Sequence, residues 1–213
     1  MIISFDMDGT IADMDFDEIL WFKELPKLYA ERHKLSFEKA KEICTEEYGK
    51  VGDGDLRWYD VKYWLEHFEL KKEFKHLLAD LKHHIKLYPE AKEVIKYLSK
   101  KHKLIIISNA PREFLELKIE VESIKDHFDR IFSVTSDFGI VKKDSNVYKK
   151  ICKVLGIQPE ELIHIGDHYK FDYEVPRNAG IKAYYLDRKG EQKGNYIVKD
   201  LKEFKEKISQ GLS

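Results

Sequence analysis

Two aspartates, Asp6 and Asp8, end the apolar run that opens the chain, in the sequence MIISFDMDGT. In a β-strand the side chains alternate between the two faces, so residues two apart start on the same side. Two carboxylates about 5 Å apart repel each other by roughly 3 kcal/mol at an effective dielectric near 20. A cation, a shared proton or solvent has to offset this repulsion, and which of them does so determines what chemistry the pair can perform.

Polar residues also end the apolar runs that follow. These runs finish in Ser108-Asn109, in Ser136-Asp137 and in Gly166-Asp167, and the loop between the last two contains Lys142 and Lys143. In open parallel sheets, ligands bind just beyond the carboxyl ends of the strands. A single polar ending only marks where a chain reaches solvent. Carboxylates on two strands, a hydroxyl and an amide on a third, and a lysine in a nearby loop together predict a binding site.

Alternating strands and helices from Tyr88 onward are predicted to position these residues. The short apolar strands are separated by helical segments such as PEAKEVIKYLSKKH and SNVYKKICKVLG, and they read KLIIISNA, RIFSVTSD, ELIHIGD, KAYYLD and YIV. Buried parallel strands are continuously apolar because helices cover both faces of their sheet. The pattern therefore predicts an α/β fold with a doubly wound, mostly parallel sheet.

The segment of residues 13–87 has a different, helical pattern. Apolar residues recur there at intervals of three and four, and Ser36 is placed to cap a helix. We therefore predict two domains: a core formed by residues 1–12 and 88–213, and an inserted all-helical domain formed by residues 13–87. All three tryptophans (Trp21, Trp58 and Trp64) lie in the helical domain. We expect them mainly to build its hydrophobic core.

The composition excludes several classes of protein. Hydrophobic residues make up 43% of the 213 residues, which is enough for a full core, and the net charge is −1. No large field of one sign exists to hold nucleic acid or an anionic membrane. The two cysteines, Cys44 and Cys152, are predicted to be buried thiols in a reducing compartment. Since no apolar stretch reaches the roughly 18 residues that a membrane helix needs, we expect a soluble, cytoplasmic protein.

Four segments in a fixed order resemble the motifs of the haloacid dehalogenase-like (HAD) superfamily. They are FDMDGT, IIISNA, GIVKKD and IGDHYKFD. The resemblance covers the chain from Met1 to about Gly180 and puts residues 13–87 in the position of that family's inserted helical cap. It implies a Rossmann-like core with an all-helical cap domain, and an enzyme that hydrolyses its substrate.

The resemblance implies separate roles for the two aspartates. Asp6 matches the family's nucleophile, and a carboxylate with an ordinary pKa near 3.9 is already ionised at neutral pH. Attack on phosphorus by Asp6 would give an aspartyl-phosphate intermediate. Asp8 matches the general acid and base, which protonates the leaving alcohol and later activates water. That second role requires a raised pKa, which burial and neighbouring negative charge would provide.

Two further motifs imply phosphate-binding residues. Ser108 matches the hydroxyl that bonds a phosphoryl oxygen, and Asn109 is expected to add a donor. The family's lysine motif reads Lys-Pro-Asp, and here Asp144 fits its last position. We therefore assign the phosphate-binding lysine to Lys142, with Lys143 in place of the proline and as the alternative. Either lysine would act as a point charge that balances nucleophile and phosphate.

The fourth motif implies a magnesium site. Asp167 matches the family's acidic metal ligand, and the other ligands would be the Asp6 carboxylate and the main-chain carbonyl of Asp8. Ligation by oxygen alone, with several waters retained, suits Mg²⁺. Asp172 is expected to support the metal's waters or Lys142 from outside the ligand set. His164, in the preceding strand, is expected to be a packing residue rather than a zinc ligand.

These residues predict a Mg²⁺-dependent phosphatase that acts on a small phosphorylated metabolite. A 2-haloacid dehalogenase would also use Asp6 but needs neither Mg²⁺ nor a protonated leaving group. A phosphomutase would transfer phosphate within one sugar. A non-catalytic binding or regulatory protein of the same fold is the alternative of another class. No nucleic-acid or membrane partner is expected, and the protein is predicted to be a monomer or a homodimer.

Overall fold

Parallel strands form one twisted sheet in the computed structural model, which describes residues 1–211. The strand order is β3-β2-β1-β4-β5-β6, and every neighbouring pair is parallel. The strands are β1 (Ile2–Phe5), β2 (Lys103–Ser108), β3 (Arg130–Ser133), β4 (Leu162–Gly166), β5 (Lys182–Leu186) and β6 (Ile197–Val198). The chain extends the sheet to one side through β2 and β3, and to the other through β4 to β6. The order therefore reverses between β1 and β4, where ligands bind in sheets of this type.

The residues described divide into two compact units. One consists of Met1–Asp13 and the chain from Leu87 onward, and the other is Met14–Lys86. The boundaries predicted from sequence lie one residue away at each junction. The second unit, called here the helical unit, contains α1 (Asp15–Ile19), a π-helical turn (Leu20–Glu24), α2 (Leu25–His33), α3 (Phe37–Val51), α4 (Leu56–Tyr59), α5 (Val61–His67), α6 (Phe74–Leu81) and a 3₁₀ turn (Lys82–His84).

Aromatic side chains form the interior of the helical unit. Trp64 is fully buried, and its ring centroid lies 4.7 Å from that of Tyr48. Trp21 stacks on Trp58 at 5.7 Å, and the Tyr48 hydroxyl donates to the Trp21 carbonyl at 3.2 Å. Cys44 is buried as a free thiol. The start of α3 is fixed by Ser36, whose hydroxyl accepts a hydrogen bond from the Lys39 amide.

Helices cover both faces of the sheet in the first unit. They are α7 (Ala91–Leu98), α8 (Arg112–Val121), α9 (Val134–Phe138), α10 (Ser145–Leu155), α11 (Val175–Asn178) and α12 (Leu201–Ser209), with 3₁₀ turns at Lys125–His127 and Pro159–Glu161 and a π-helical turn at Tyr169–Glu174. Along β2, Leu104 and Ile106 enter one apolar core, while Ile105 and Ile107 enter the other. This alternation on two buried faces confirms the doubly wound α/β fold.

One predicted strand is shorter than its sequence suggested. The prediction that the third core strand continues to Asp137 is wrong, because β3 ends at Ser133 and α9 follows at once. The Ser133 hydroxyl accepts a hydrogen bond from the Ser136 amide, and the Asp137 carboxylate accepts one from the Ser133 amide. These two bonds stabilise a helical turn in a sequence whose composition is typical of a strand. No helix among residues 1–211 is both long enough and apolar enough to cross a membrane.

Candidate active site

The candidate site lies at the carboxyl ends of β1 and β4. Phe5 is in register with Ile165, and the Asp6 amide donates to the Ile165 carbonyl at 2.9 Å. Asp6 and Asp167 therefore leave the sheet side by side, each directly after its strand. One carboxylate oxygen from each of Asp6, Asp167 and Asp172 lies within 4.8 Å of the others. Among the residues described, this acidic cluster stands at the point where the strand order reverses.

Lys143, and not Lys142, is the lysine that contacts Asp6. Its Nζ lies 2.5 Å from both Asp6 Oδ1 and Asp172 Oδ1, and it also donates to the Ile107 carbonyl. The side chain is 2% exposed. The Lys142 ammonium instead lies 5.8 Å from the centre of the Phe171 ring. The structure therefore corrects the sequence assignment of this position from Lys142 to its neighbour.

Two local contacts explain why Lys143 turns inward. Asp144 adopts an extended conformation and caps α10, since its carboxylate accepts a hydrogen bond from the Val147 amide at 2.7 Å. The Lys143 amide donates to Asn109 Oδ1 at 3.1 Å. Lys143, which precedes the capping residue Asp144, is thus hydrogen-bonded to the loop after β2. Its ammonium reaches the Ile107 carbonyl near the end of that strand. Asn109 therefore positions the lysine through its side-chain oxygen.

Asp172 is held by a buried set of partners. Its Oδ1 contacts both Lys143 and His164 Nε2, at 3.2 Å from the histidine, and its Oδ2 accepts from the His168 amide. Burial lowers the pKa of His164, which keeps the imidazole neutral. His164 Nδ1 lies 2.8 Å from the Ser4 hydroxyl. The Ser4 hydroxyl also lies 3.1 Å from the Ile163 carbonyl, so its one hydrogen faces two acceptors when the neutral ring donates through Nε2 to Asp172.

The charges of the cluster do not balance. Burial raises the pKa of Asp6 well above its usual range, against the opposing effect of Lys143. Burial and the nearby Asp172 raise the pKa of Asp167 to about 6. Burial also acts to raise the pKa of Asp172, but Lys143 and His164 hold it well below its usual range. Lys143 itself has a raised pKa, because Asp172 and Asp6 outweigh its own burial. One ammonium thus faces three carboxylates.

This donor set fits a divalent cation. The cluster offers only oxygen atoms, carries an excess of negative charge and is mostly buried, which suits a hard metal ion such as Mg²⁺. Gly9 has a positive φ of 74° and packs directly on Asp167, where an added Cβ would lie 2.1 Å from Oδ2. At Gly166, an added Cβ would lie 2.3 Å from Asp172 Cγ. The two glycines leave the carboxylates the room they occupy.

The second aspartate of the motif has a different partner. The Asp8 carboxylate forms an ion pair with Lys118 Nζ, from the last turn of α8. Lys118 was missed in the sequence, although the signal was present. In PREFLELKIEV, the buried side of the helix consists of Phe114, Leu115, Lys118 and Ile119. A lysine at an apolar position of an amphipathic helix indicates a buried partner of opposite charge.

Ser108 ends β2 as predicted and is buried. Strand β2 neighbours β1, with Phe5 in register with Ile106, so Ser108 lies on the strand next to the one that carries Asp6. Its hydroxyl oxygen accepts a hydrogen bond from the Ala110 amide at 3.3 Å. That bond turns the loop after β2 back on itself and leaves the hydroxyl hydrogen to be donated elsewhere.

Arg188 is a second residue that the sequence reading missed. Its guanidinium donates to the carbonyls of Gly9 and Thr10, pairs with Glu90 at 2.8 Å and stacks on the Tyr88 ring, 3.3 Å from its centre. The Thr10 hydroxyl in turn lies 3.4 Å from Asp167 Oδ1. Arg188 therefore fixes the loop that follows the two aspartates. A lone arginine after a strand carries no signal of this role in the sequence.

The parallel sheet and the acidic cluster where its strand order reverses define a Rossmann-like α/β protein with a carboxylate-rich site. Residues 1–180 match the family model described as haloacid dehalogenase-like hydrolase. Because that match covers most of the chain, the protein belongs to the haloacid dehalogenase-like hydrolase family, as its four motifs predicted.

Individual relatives differ in what their names describe. A GMP/IMP nucleotidase of Escherichia coli is 26% identical over 163 residues, which cover 76% of this chain and 72% of the relative. A HAD phosphatase structure from Thermococcus onnurineus superimposes with a TM-score of 0.84 at 23% identity, and 97% of each chain is covered. An L-2-haloacid dehalogenase structure from Xanthobacter autotrophicus gives a TM-score of 0.64 at 17% identity, covering 100% of this chain and 99% of the other. The two structures establish the fold.

Proposed function

We propose that this protein is a Mg²⁺-dependent phosphatase that hydrolyses a small phosphomonoester through an aspartyl-phosphate intermediate. The observation that carries the proposal is the pair Asp6 and Asp8, in which each carboxylate has its own lysine partner, Lys143 and Lys118. A dehalogenase needs the first carboxylate only, since halide leaves without a proton. The similarity to a nucleotidase over three quarters of the chain supports the same choice.

The first half of the reaction forms a bond to Asp6. A carboxylate oxygen of Asp6 attacks phosphorus in line with the leaving group, the new O–P bond forms and the P–O bond to the substrate alcohol breaks. Asp8 gives a proton to the departing oxygen, so the alcohol leaves neutral. Lys143, Ser108 and Asn109 are proposed to bind the phosphoryl oxygens, with Lys143 replacing the Lys142 of the sequence assignment.

The second half restores the enzyme. Asp8, now a carboxylate, takes a proton from water, whose oxygen attacks phosphorus. The O–P bond to Asp6 breaks, inorganic phosphate leaves and both aspartates regain their starting protonation. Bound Mg²⁺ would supply positive charge that offsets the repulsion between the phosphate and the carboxylates. Its proposed ligands are the carboxylates of Asp6 and Asp167 and the main-chain carbonyl of Asp8, while Asp172 holds Lys143.

A substrate panel tests this proposal. Nucleoside monophosphates, sugar phosphates and other small phosphomonoesters are assayed for phosphate release with Mg²⁺ and again after removal of metal with EDTA. We expect turnover of at least one of them that disappears with EDTA and returns with Mg²⁺. Release of halide from 2-haloacids without release of phosphate would overturn the proposal in favour of a dehalogenase. Transfer of phosphate within a sugar, without net release, would indicate a mutase.

The place of action is part of the same proposal. Cys44 and Cys152 are both buried and free, as expected for thiols in a reducing compartment. We accordingly propose that the substrate is a phosphorylated metabolite of the cytoplasm.

A further inference from the structure

We propose that Lys118 positions the carboxylate of Asp8 for proton exchange. This inference rests on the proposed phosphatase function and adds to it a residue outside the four sequence motifs. The Lys118 ammonium contacts Asp8 Oδ1 across 110 positions of sequence. One oxygen of the acid is thereby held, and the other is the oxygen that exchanges a proton with the leaving group and with water.

The burial of Lys118 indicates that its position has a specific use. Its side chain is 0% exposed, whereas that of Asp8 is 17% exposed. Moving an ammonium out of water is unfavourable, and an apolar residue at the same place in a helix would be the more stable choice. The neighbours on the buried side of α8, Leu115 and Ile119, are apolar. Lys118 is thus a charged residue among apolar neighbours on the buried side of α8, and it contacts Asp8.

Asp6 and Asp8 have different lysine partners. Lys143 contacts Asp6 and Asp172, and Lys118 contacts Asp8. If both aspartates shared one lysine, their orientations would be coupled and each would compete for the same donor. Separate lysines let Asp6 keep the geometry of a nucleophile while Asp8 alternates between its neutral and its charged form.

An ammonium beside Asp8 acts differently in the two proton transfers: it stabilises the charge formed in the first and fixes the orientation of the carboxylate for the second. When Asp8 gives its proton to the leaving oxygen, negative charge develops on the carboxylate, and Lys118 lies where that charge appears. In the second half of the reaction Asp8 must begin as a carboxylate in a fixed orientation. A side chain that rotates freely would reach the leaving oxygen only part of the time, and misplacement by about 1 Å can cost on the order of 100-fold in rate.

The test uses leaving groups that differ in their need for a proton. The substitution Lys118→Met keeps the length of the side chain and removes its charge. Values of kcat/KM are measured for p-nitrophenyl phosphate, whose leaving group departs readily as an anion, and for an alkyl phosphate that the wild-type protein hydrolyses. General acid catalysis is worth roughly 10²–10⁴-fold, so we expect a loss of about 100-fold for the alkyl phosphate and less than about fivefold for the aryl phosphate.

Matched controls separate this inference from other outcomes. Lys92 also donates to the end region of α8, at the Glu122 carbonyl, and is exposed. Lys92→Met is therefore expected to leave both kcat/KM values unchanged. Equal losses for the two substrates in Lys118→Met, or no loss for either, would overturn the inference even though the wild-type protein is a phosphatase. Absence of activity in the wild-type protein would instead count against the proposed function.

A second variant, Lys118→Gln, tests the same inference if Lys118→Met does not fold. Folding is followed by the thermal unfolding midpoint, and Lys118→Gln keeps a neutral donor within reach of Asp8. The ratio of the alkyl to the aryl kcat/KM value decides the question in either variant. We expect this ratio to fall in Lys118→Gln, by less than in Lys118→Met, and an unchanged ratio in the folded variant would contradict the positioning role.

Discussion

The carboxyl edge of the sheet and the helical unit use charge in opposite ways. At the sheet edge, Lys143 and His164 are buried, and both contact the buried Asp172 directly. In the helical unit, the buried positions are aliphatic and aromatic, and ion pairs such as Lys39–Glu42 and Lys50–Glu47 lie on the surface between neighbouring helical turns. Buried ion pairs add little net stability, and exposed pairs contribute only about 0.2–1 kcal/mol each. Stability therefore does not account for the charges at the sheet edge, in agreement with the proposed function, while the helical unit is stabilised by its apolar core.

The largest effect is expected from Asp6→Asn. The amide cannot attack phosphorus, so phosphate release should fall by at least about 10⁴-fold, equivalent to roughly 5.5 kcal/mol. Phosphate release measures the loss, and the thermal unfolding midpoint checks that the variant is folded. Asp80→Asn is the matched substitution in the helical unit, where Asp80 forms an exposed pair with Lys72. Turnover should be unchanged there, and turnover by Asp6→Asn near the wild-type rate would remove the nucleophile assignment.

Lys143→Met should lower both activity and stability. We expect phosphate release to fall about 10³-fold, because one point charge next to nucleophile and phosphate is lost. The free energy of unfolding should fall by about 3 kcal/mol, because the buried carboxylates of Asp6 and Asp172 lose a shared counter-charge.

Two lysine controls sharpen this second prediction. Lys142→Met should change phosphate release far less than Lys143→Met, and the reverse order would restore the original sequence assignment. Lys50→Met removes an exposed pair with Glu47 in the helical unit. Its free energy of unfolding, measured by urea titration, should change by less than about 0.5 kcal/mol.

Local motifs were enough to predict part of the site. Asp6 and Asp167 directly follow buried strands, Asp8 lies two residues beyond Asp6, and a parallel sheet brings such strand ends together. The choice between Lys142 and Lys143 was beyond such reasoning, because adjacent residues in a loop point in different directions. It depends on the cap formed by Asp144 and on the bond from Asn109, which is 34 positions away from Lys143.

The contacts of Lys118 and Arg188 show a further reason why sequence reasoning stopped short. Arg188 reaches the Gly9 carbonyl across 179 positions, and neither residue belongs to a local pattern that names its partner. The fold class was accessible because a short, continuously apolar run is a property of each strand alone. The end of β3 was missed because the Ser133 hydroxyl and the Asp137 carboxylate overrode a β-like sequence.

Trp64→Ala tests the other side of the comparison. Trp64 is fully buried against Tyr48 and Phe68, so its removal leaves a large cavity in the helical unit. We expect the free energy of unfolding to fall by about 3 kcal/mol, measured by urea titration. Tyr59→Phe in the same unit removes only an exposed hydroxyl contact with the Asp53 carbonyl and should cost much less. A loss below about 1 kcal/mol in Trp64→Ala would contradict the view that aromatic packing stabilises this unit.

The smallest expected effect is a change of stability with pH. It distinguishes the acidic cluster at the sheet edge from the helical unit in the wild-type protein. The pKa of Asp167 is raised to about 6 by burial and by Asp172. A raised pKa means that the folded protein binds this proton more tightly than the unfolded chain does. The resulting stability is present below about pH 4 and is lost as pH rises to about 6, by about 2 kcal/mol after allowance for solvent screening. The metal-free protein should therefore lose thermal stability between pH 4 and pH 6, and Asp167→Asn should lose less, with Asp6, whose pKa is also raised, keeping its own share of the loss.

Stabilisation of the protein by Mg²⁺ should depend on pH in the opposite direction. A cation that binds the carboxylates must displace their protons, so its affinity rises with pH through the same window. The increase in thermal unfolding midpoint caused by Mg²⁺ should thus be larger at pH 7 than at pH 5. In the helical unit the carboxylates with shifted pKa values, such as Glu47 and Asp80, have lowered values and are exposed. These carboxylates reduce stability as pH falls below about 4 and do not change the effect of Mg²⁺ between pH 5 and pH 7. An increase in the unfolding midpoint by Mg²⁺ that is the same at both pH values would show that the acidic cluster is not the metal site.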